Sequence, residues 1–348
     1  MVNLTEIARI AGVSRGTVDR VIHKRGGVSS SKEKKIRQVL DLLDYKPNIY
    51  ARGLSLSKTF QFGVLLPDTS DNVQYWNLPY LGIKKAEDEL ASYRVKIKSY
   101  RYNNTASQSF ERACEKLLED KNILDGLVIA PVLWNSTREF IRKNDFKIPI
   151  IIIESRMPSI NNLCYVGSNP VKSGYLAGRL FGFLSKEEAM KIIVIRELPE
   201  NYNINNRVEG FLSYMENYPN IDIQVIDANR RDNKFVFTQL TEELLTSNKR
   251  IDGIFVPSAS VGEVAKVIQT GYKDRTINII GFDPTEDNIK FLKDGIIDII
   301  ISQRSDLMGY RGIYTLYKHI VLNEKVPKEI FTPMDILFKE NIDYYSNY

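Results

Sequence analysis

Several polar and aromatic side chains stand directly after Ile/Val-rich runs. Tyr75-Trp76 follow Phe60–Leu66, Pro131 follows Gly126–Ala130, and Glu154-Ser155-Arg156 follow Ile148–Ile153. Ser258 follows Gly253–Val256, Asp283 closes Ile280-Gly281-Phe282-Asp283, and Gln303-Arg304 follow Asp298–Ser302. Arg207 opens the helical stretch Arg207-Val208-Glu209-Gly210-Phe211. Charges, an amide and aromatic rings converging on one cleft suit a polyhydroxyl ligand. Carboxylate and guanidinium bind adjacent hydroxyls in two-pronged fashion, and aromatic faces cover the C–H surface of a sugar. The same residue types have plainer uses. Arg207 and Asp283 can be salt-bridge partners between lobes, Tyr75 and Trp76 interface core, and Glu154 a solvated or structural acid.

A second set lies near the N-terminus. Arg15 and Arg20 carry the side chain best shaped to bridge O6 and N7 of guanine, a contact worth about 1–3 kcal/mol of discrimination. Residues 1–60 hold twelve Lys/Arg against five Asp/Glu, a net of +7 in a chain whose total is +5. The excess basic charge is therefore confined to the first sixth of the sequence. That asymmetry fits a footprint for a polyanion; charge alone fits a solvated basic tail equally well.

Helix grammar decides between those two. Asn3 with Glu6 reads as an N-cap with an acid three residues on, and Leu4, Ile7, Ala8 and Ala11 share one helix face. Gly12 ends that helix. Ser14 caps a second short helix with Val18, Val21 and Ile22 inward, and Gly26-Gly27 break it. Ser29 or Ser30 caps a third, Ser30 forming a capping box with Glu33. Ile36, Val39, Leu40 and Leu43 are its apolar stripe, and Pro47 stops it. Two short helices joined by about three residues, with a supporting helix behind them, form a helix-turn-helix. Its second helix enters the major groove, N-terminal residues first, which puts Arg15, Gly16 and Thr17 at base edges and Arg20 a turn later.

Scarce residue types exclude other chemistry. Two histidines, His23 and His319, and two cysteines, Cys114 and Cys164, leave no metal or redox spacing; both cysteines read as buried small hydrophobes. No phosphate-binding glycine loop is present. No metal, cofactor or catalytic group is expected, and the chain is expected not to be an enzyme, although a carboxylate-only enzyme in the cleft is a competing class. No apolar run approaches the roughly 18 residues of a membrane span, and the N-terminus lacks a basic-then-apolar signal segment. A cytoplasmic location follows as the expectation.

The N-terminal motifs carry a resemblance. Leu4-Thr5-Glu6-Ile7-Ala8-Arg9-Ile10-Ala11-Gly12-Val13-Ser14, then Thr17-Val18-Asp19-Arg20-Val21-Ile22, Val28-Ser29 and Tyr45-Lys46-Pro47-Asn48 resemble the LacI/GalR family of transcriptional regulators, without a gap through residues 3–56. The resemblance implies that Ser14, Thr17 and Asn48 touch phosphates. It places Thr5, His23, Ser29, Tyr50 and Ala51 on the DNA side as well. It also implies a hinge helix within Asn48–Leu56 whose Leu54 wedges into the minor groove, at a cost of a few kcal/mol for the opened step. The sequence departs from the family at Asp19, where Ser is usual, at Gly53 inside the hinge segment, and at Gly16, which offers no side chain to a base.

From residue 60 onward, strand-like and helix-like runs alternate, with helical patterns such as Phe110–Leu118 and Asn233–Leu245 between the strands and a last strand expected at Ile330–Phe338. This pattern predicts parallel sheets covered on both faces, with ligands bound beyond the strands' C-terminal ends. Nearly 290 residues predict two α/β lobes. The aromatic pair before Gly82, Val166-Gly167-Ser168-Asn169 before Gly174, Arg207-x-x-Gly210-Phe211, Gly281-Phe282-Asp283 and Gln303 resemble the type I periplasmic-binding-protein fold in its ribose-binding-like form. By that resemblance Arg207, Asp283 and Gln303 bind sugar hydroxyls, Trp76 stacks and Glu154 adds a polar contact. Glu154 stands where Asp is usual, the following Arg is displaced to Arg156, and Ser258-Ala259-Ser260 replaces an Asn-Asp pair.

The expected organisation is an all-α helix-turn-helix headpiece at 1–47, a hinge helix or linker at 48–59, and a two-lobed ligand-binding and dimerisation domain at 60–348. The N-lobe is placed at about 60–157 and 303–330, and the C-lobe at about 163–300. The expected partners are a pseudo-palindromic double-stranded DNA operator, a second copy of the chain and a small sugar-like effector, with no membrane. A purine or other non-sugar effector, and a solute-binding protein without a role in transcription, are the alternatives.

Overall fold

The computed structural model describes residues 4–22, 26–43, 58–69, 74–103, 107–158, 160–185, 189–197, 201–228, 230–231, 234–235, 237–246, 250–272 and 277–345. The chain divides into two units, Met1–Ser57 and Lys58–Tyr348. His23, Asn48, Tyr50, Ala51, Gly53 and Leu54, and with them the expected hinge helix, lie outside the described residues.

The first unit contains α1 (Leu4–Ala11), α2 (Arg15–Ile22) and α3 (Ser30–Leu42). Apolar side chains at helical spacing meet in one core: Ile7, Ala8, Ala11, Val18, Val21, Ile36 and Val39 are buried, and Leu4, Ile22, Leu40 and Leu43 pack around them. Gly12 turns the chain between α1 and α2 at φ +66°, a left-handed conformation that a side chain disfavours. Ser14 caps α2 as expected, its Oγ accepting from the Thr17 N–H at 3.2 Å. The capping box at α3 does not form. Ser29 occupies the N-cap position without a side-chain bond, and the Glu33 carboxylate accepts from Arg37 one turn on, at 2.6 Å. An opposite charge at i+4 competes for that carboxylate with the backbone N–H a box would use.

The second unit holds two six-stranded sheets. The first comprises β1 (Phe60–Pro67), β2 (Val95–Tyr102), β3 (Gly126–Ile129), β4 (Ile150–Ile153), β5 (Cys164–Gly167) and β13 (Glu329–Phe331), ordered β13-β5-β4-β3-β1-β2 and parallel throughout. The second comprises β6 (Met190–Glu197), β7 (Ile221–Ala228), β10 (Gly253–Phe255), β11 (Asn278–Phe282), β12 (Ile299–Ser302) and β14 (Asp335–Leu337), ordered β14-β12-β11-β10-β6-β7, with only β14 antiparallel. A short ribbon, β8 (Arg230–Arg231) with β9 (Lys234–Phe235), follows β7. The central strands are buried along their whole length, as strands covered on both faces must be.

Helices α4 (Asn77–Leu90), α5 (Ser107–Glu119), α6 (Trp134–Asn144) and α12 (Ser305–Ile320) accompany the first sheet. Helices α7 (Pro170–Ser185), α8 (Tyr202–Met215), α9 (Phe237–Thr246), α10 (Val261–Gly271) and α11 (Glu286–Lys293) accompany the second. α4 packs on α12, and α7 on α8.

Two lobe assignments need correction. The run expected as one strand at Ile330–Phe338 is split. β13 extends the first sheet and β14 the second, with Thr332-Pro333-Met334 between them; Pro333 has no N–H to give to a ladder. The lobe boundary at about 163 also moves. Cys164–Gly167 pairs with Ile151–Ile153 in the first sheet, so the chain leaves that lobe only after Gly167. It therefore passes between the sheets at Ser168-Asn169, at Gln303-Arg304 and at Thr332–Met334.

Candidate functional site

The strand ends of the two sheets face one another across these crossings. From the first lobe come the turn Gln74–Trp76, Glu154 after β4 and Ser168 after β5. From the second come Arg207 and Asn203 on α8, Ser258 after β10 and Asp283 after β11; Gln303 sits on the second crossing. Glu154, Asp283 and Arg304 all have positive φ, at 68°, 62° and 52°. Non-glycine residues held this way cost about 1–3 kcal/mol each and cluster at ligand clamps.

Gln303 is the centre of the site. Its Oε1 accepts from Arg207 Nη2 at 2.7 Å and from Ser168 Oγ at 2.9 Å. Its Nε2 donates to Asp283 Oδ2 at 2.9 Å and to the Tyr75 hydroxyl at 3.4 Å. Arg207 Nη1 donates to the Pro257 carbonyl at 2.9 Å, and the guanidinium lies over the Phe282 ring at 4.3 Å. Ser305 donates to the Tyr75 hydroxyl at 3.1 Å. Tyr75 and Trp76 are both buried and meet edge to face with ring centres 4.9 Å apart. Asn203 Nδ2 bridges the lobes to the Glu154 carbonyl at 2.7 Å and to Glu154 Oε1 at 3.2 Å. At the rim, the Glu286 N–H donates to Gln74 Oε1 at 3.1 Å.

Arg207 is 2% exposed and Asp283 1%. Burial, countered by Arg207 and by the hydrogen bond from Asn203, pushes the half-buried Glu154 carboxyl up to about 7. Burial likewise lifts Asp283 to about 6, against the pull of Arg207 and Gln303. The Tyr75 hydroxyl is raised well above its ordinary value by burial and then by the two acids. These four groups form one electrostatic cluster. In this cluster and the Asn203 amide bonded to it, three buried polar atoms have no hydrogen-bond partner: Asp283 Oδ1, Asn203 Oδ1 and Arg207 Nε.

The structure thus brings together Tyr75, Glu154, Arg207, Asp283 and Gln303, with Trp76 against Tyr75. Ser258 lies beside the Pro257 carbonyl that Arg207 uses, its own Oγ accepting from the Ser260 N–H at 3.3 Å. Pro131 is buried just past β3, with no bond to this cluster among the described contacts. Arg156 is a correction. It pairs with Glu329 at 2.7 Å, and its guanidinium lies over the rings of Tyr165 and Phe331 at 5.0 and 5.5 Å. Glu329 and Phe331 come from β13, a strand remote in sequence, which draws Arg156 to the sheet edge. Asn203, Ser168, Ser305 and Phe282 escaped assignment. Asn203 was findable, because it stands one helical turn before Arg207 on the same face of α8.

On the headpiece, Thr5, Ser14, Arg15, Gly16, Arg20 and Ser29 are exposed and Thr17 half-buried. Ser14 and Thr17 share a hydroxyl hydrogen bond of 2.8 Å. Arg15 and Gly16 open α2, with Arg20 on its last turn. Among the described residues no group of three or more His, Cys, Asp or Glu could hold a metal ion, and no helix is long and apolar enough to cross a membrane. Cys114 and Cys164 are both buried and free.

Residues 3–48 match the family "Bacterial regulatory proteins, lacI family", and residues 62–325 match "Periplasmic binding protein domain". The chain is 27% identical to the ribose operon repressor of Lactococcus lactis subsp. lactis (strain IL1403), over 98% of both proteins. It is 26% identical to catabolite control protein A of Priestia megaterium, over 82% of this chain and 83% of that protein. Its fold matches a structure assigned to the LacI transcriptional regulators from Bacteroides fragilis, with a TM-score of 0.73, 25% identity, and coverage of 83% of this chain and 100% of that one. It also matches a Burkholderia graminis C4D1M transporter solute-binding protein solved with D-arabinose, with a TM-score of 0.71, 24% identity, and coverage of 84% and 99%. With a helix-turn-helix headpiece ahead of a two-sheet periplasmic-binding-protein domain, this chain belongs to the lacI family of DNA-binding bacterial transcriptional regulators.

Proposed function

We propose that this regulator represses transcription from a pseudo-palindromic operator as a homodimer, and that a small sugar or sugar derivative held between its lobes sets its operator affinity. The observation that carries the effector reading is the buried net of Arg207, Gln303, Asp283 and Asn203, which joins the lobes and keeps three polar atoms unpartnered. Buried polar groups are ordinarily satisfied, so a site of this kind asks for a ligand with hydroxyls. The ribose operon repressor relative and the D-arabinose-bound neighbour of the same fold support a sugar as that ligand. The cleft binds rather than transforms; nothing in the reading calls for a catalytic step.

In this reading, two copies of α2 enter successive major grooves. Effector closes the lobes as a hinge motion, which changes how the DNA-facing segments of the dimer are spaced. Coupling of this kind is worth about 1–3 kcal/mol and is reciprocal, so DNA alters sugar affinity by the same factor. The test is isothermal calorimetry of the full chain against pentoses and hexoses, followed by operator binding with and without each sugar that binds. Asp283→Ala is expected to abolish the sugar response and retain operator binding. A response retained in that variant rejects the cleft as the effector site.

A further inference from the structure

Hydrogen-bonding capacity in the cleft is lopsided. Arg207 has its Nη1 on the Pro257 carbonyl, its Nη2 on Gln303 and its face on Phe282. Only Nε is unused. A phosphate or carboxylate is gripped by the two-pronged edge of a guanidinium; here each terminal nitrogen already gives one of its two N–H groups to the protein. The second guanidinium near Glu154 in sequence, Arg156, is turned to Glu329. On the acceptor side, Asp283 Oδ1 and Asn203 Oδ1 are both buried and unpartnered. The Asn203 amide cannot flip to supply a donor instead. Its nitrogen already serves the Glu154 carbonyl, which only accepts. A ligand must therefore arrive carrying donors.

The electrostatics point the same way. Glu154 and Asp283 act on one another and on Tyr75, and both resist ionising despite Arg207 beside them. A ligand anion would add a like charge to a buried site that already disfavours two.

Resting on the sugar-effector reading above, we propose that the cleft selects an uncharged polyhydroxyl effector and rejects phosphorylated sugars, with Glu154 and Asp283 setting that selection. Hydroxyl protons satisfy Asp283 Oδ1 and Asn203 Oδ1, and a ring or hydroxyl oxygen accepts from Arg207 Nε. A phosphate group brings mainly acceptors and negative charge to a cleft whose unpartnered oxygens are acceptors beside two acids, so it gains nothing there that the sugar's remaining hydroxyls do not already supply and adds repulsion.

The test is calorimetric titration of the full chain with D-ribose, D-arabinose and D-glucose, alongside ribose 5-phosphate, arabinose 5-phosphate and glucose 6-phosphate, at fixed ionic strength. The parent sugar that binds is expected to do so at least about tenfold more tightly than its phosphate. Glu154→Gln, which keeps an oxygen for Asn203, is expected to narrow that gap several-fold. The proposal is overturned if the phosphate binds as tightly as its parent in the wild type, or if Glu154→Gln and Asp283→Asn both leave the gap unchanged. Either result leaves the sugar-effector reading intact. Failure of every sugar and every phosphate to bind removes that reading, and the selection with it.

Discussion

Ser168 donates its hydroxyl to Gln303 Oε1 at 2.9 Å, and so ties together two of the three segments by which the chain passes between its lobes. The third is tied alongside: the Thr332 N–H donates to the Gly167 carbonyl at 3.0 Å, one residue before Ser168. The hinge and the ligand cleft are therefore one construction, and Gln303 belongs to both. Its amide is fully used, with two bonds accepted and two given.

Gln303→Ala should therefore be costly in two ways. It leaves Arg207 Nη2 and Asp283 Oδ2 buried without that partner, at about 1–3 kcal/mol for each abandoned group. Urea unfolding is expected to show a loss of about 2–6 kcal/mol in total, and calorimetry a loss of sugar binding. Gln303→Glu keeps an acceptor for Ser168 and Arg207 but sets a carboxylate against Asp283. Its stability loss should shrink at low pH, where one of the two acids is protonated; a loss independent of pH would place Gln303 outside the charged cluster.

The acids predict a pH dependence of definite sign. Burial holds Glu154 at about 7 and Asp283 at about 6 in the folded protein, above the ordinary 4.5 and 3.8 of the unfolded chain. Between these limits the folded state binds more protons than the unfolded one, so stability falls as pH rises. Their contribution is complete below about pH 4 and is lost by pH 7–8, a change on the order of 3 kcal/mol for each acid. Glu154→Gln removes part of this, so the variant should gain stability relative to wild type between pH 5 and pH 8 in urea unfolding. Hydroxyl donors favour the ionised carboxylates. Sugar affinity should therefore rise over the same interval, with protons released on binding.

Much of this arrangement was legible in the chain, for identifiable reasons. Headpiece helices rest on local periodicity, and Ile7, Val18 and Ile36 meet as their spacing requires. Cleft residues were legible because a parallel sheet puts all its C-terminal strand ends on one side, which places Glu154, Asp283 and Gln303 together. Reading failed where a partner distant in sequence decides. Arg156 is captured by Glu329 and Phe331, more than 170 residues away. β5 is only four residues long and is specified by its neighbours. At α3, two plausible partners competed for Glu33, and sequence alone does not rank Arg37 above a backbone N–H.

Gly174 offers a test of how α8 positions the cleft. A Cβ there would lie 1.8 Å from the Arg207 carbonyl oxygen, so α7 and α8 touch backbone to backbone at the residue that carries the guanidinium. Gly174→Ala must push the helices apart, at about 1–3 kcal/mol or more, and α8 takes Arg207 and Asn203 with it. Sugar affinity should fall by tenfold or more, in order of magnitude about 1.4 kcal/mol, although position 174 bonds to none of the cleft residues. Gly271→Ala is the control. Its Cβ would meet nothing within 4 Å, so thermal unfolding should show no loss, or a gain of about 0.5–1 kcal/mol. Normal sugar binding by a folded Gly174→Ala protein would mean that α8 is not what aims Arg207.

On the headpiece, the groups that read bases and the groups that grip the backbone should separate in experiment. Arg15 and Arg20 are exposed on α2, whereas Lys32 and Lys34 are exposed on the supporting helix α3. A base-reading arginine contributes to discrimination between sequences, and a phosphate-contacting lysine contributes to all duplexes alike. Arg15→Ala or Arg20→Ala should narrow the gap between operator and random DNA by about 1–3 kcal/mol per site. Lys32→Ala and Lys34→Ala should weaken both duplexes equally, and each should reduce the slope of log affinity against log salt by about one. Fluorescence anisotropy over a salt series measures both quantities at once. The four residues surround a core that none of them enters, so the variants should fold, and unchanged helical circular dichroism checks that they do. If all four change specificity and salt slope in the same way, α2 is not the helix that reads the groove.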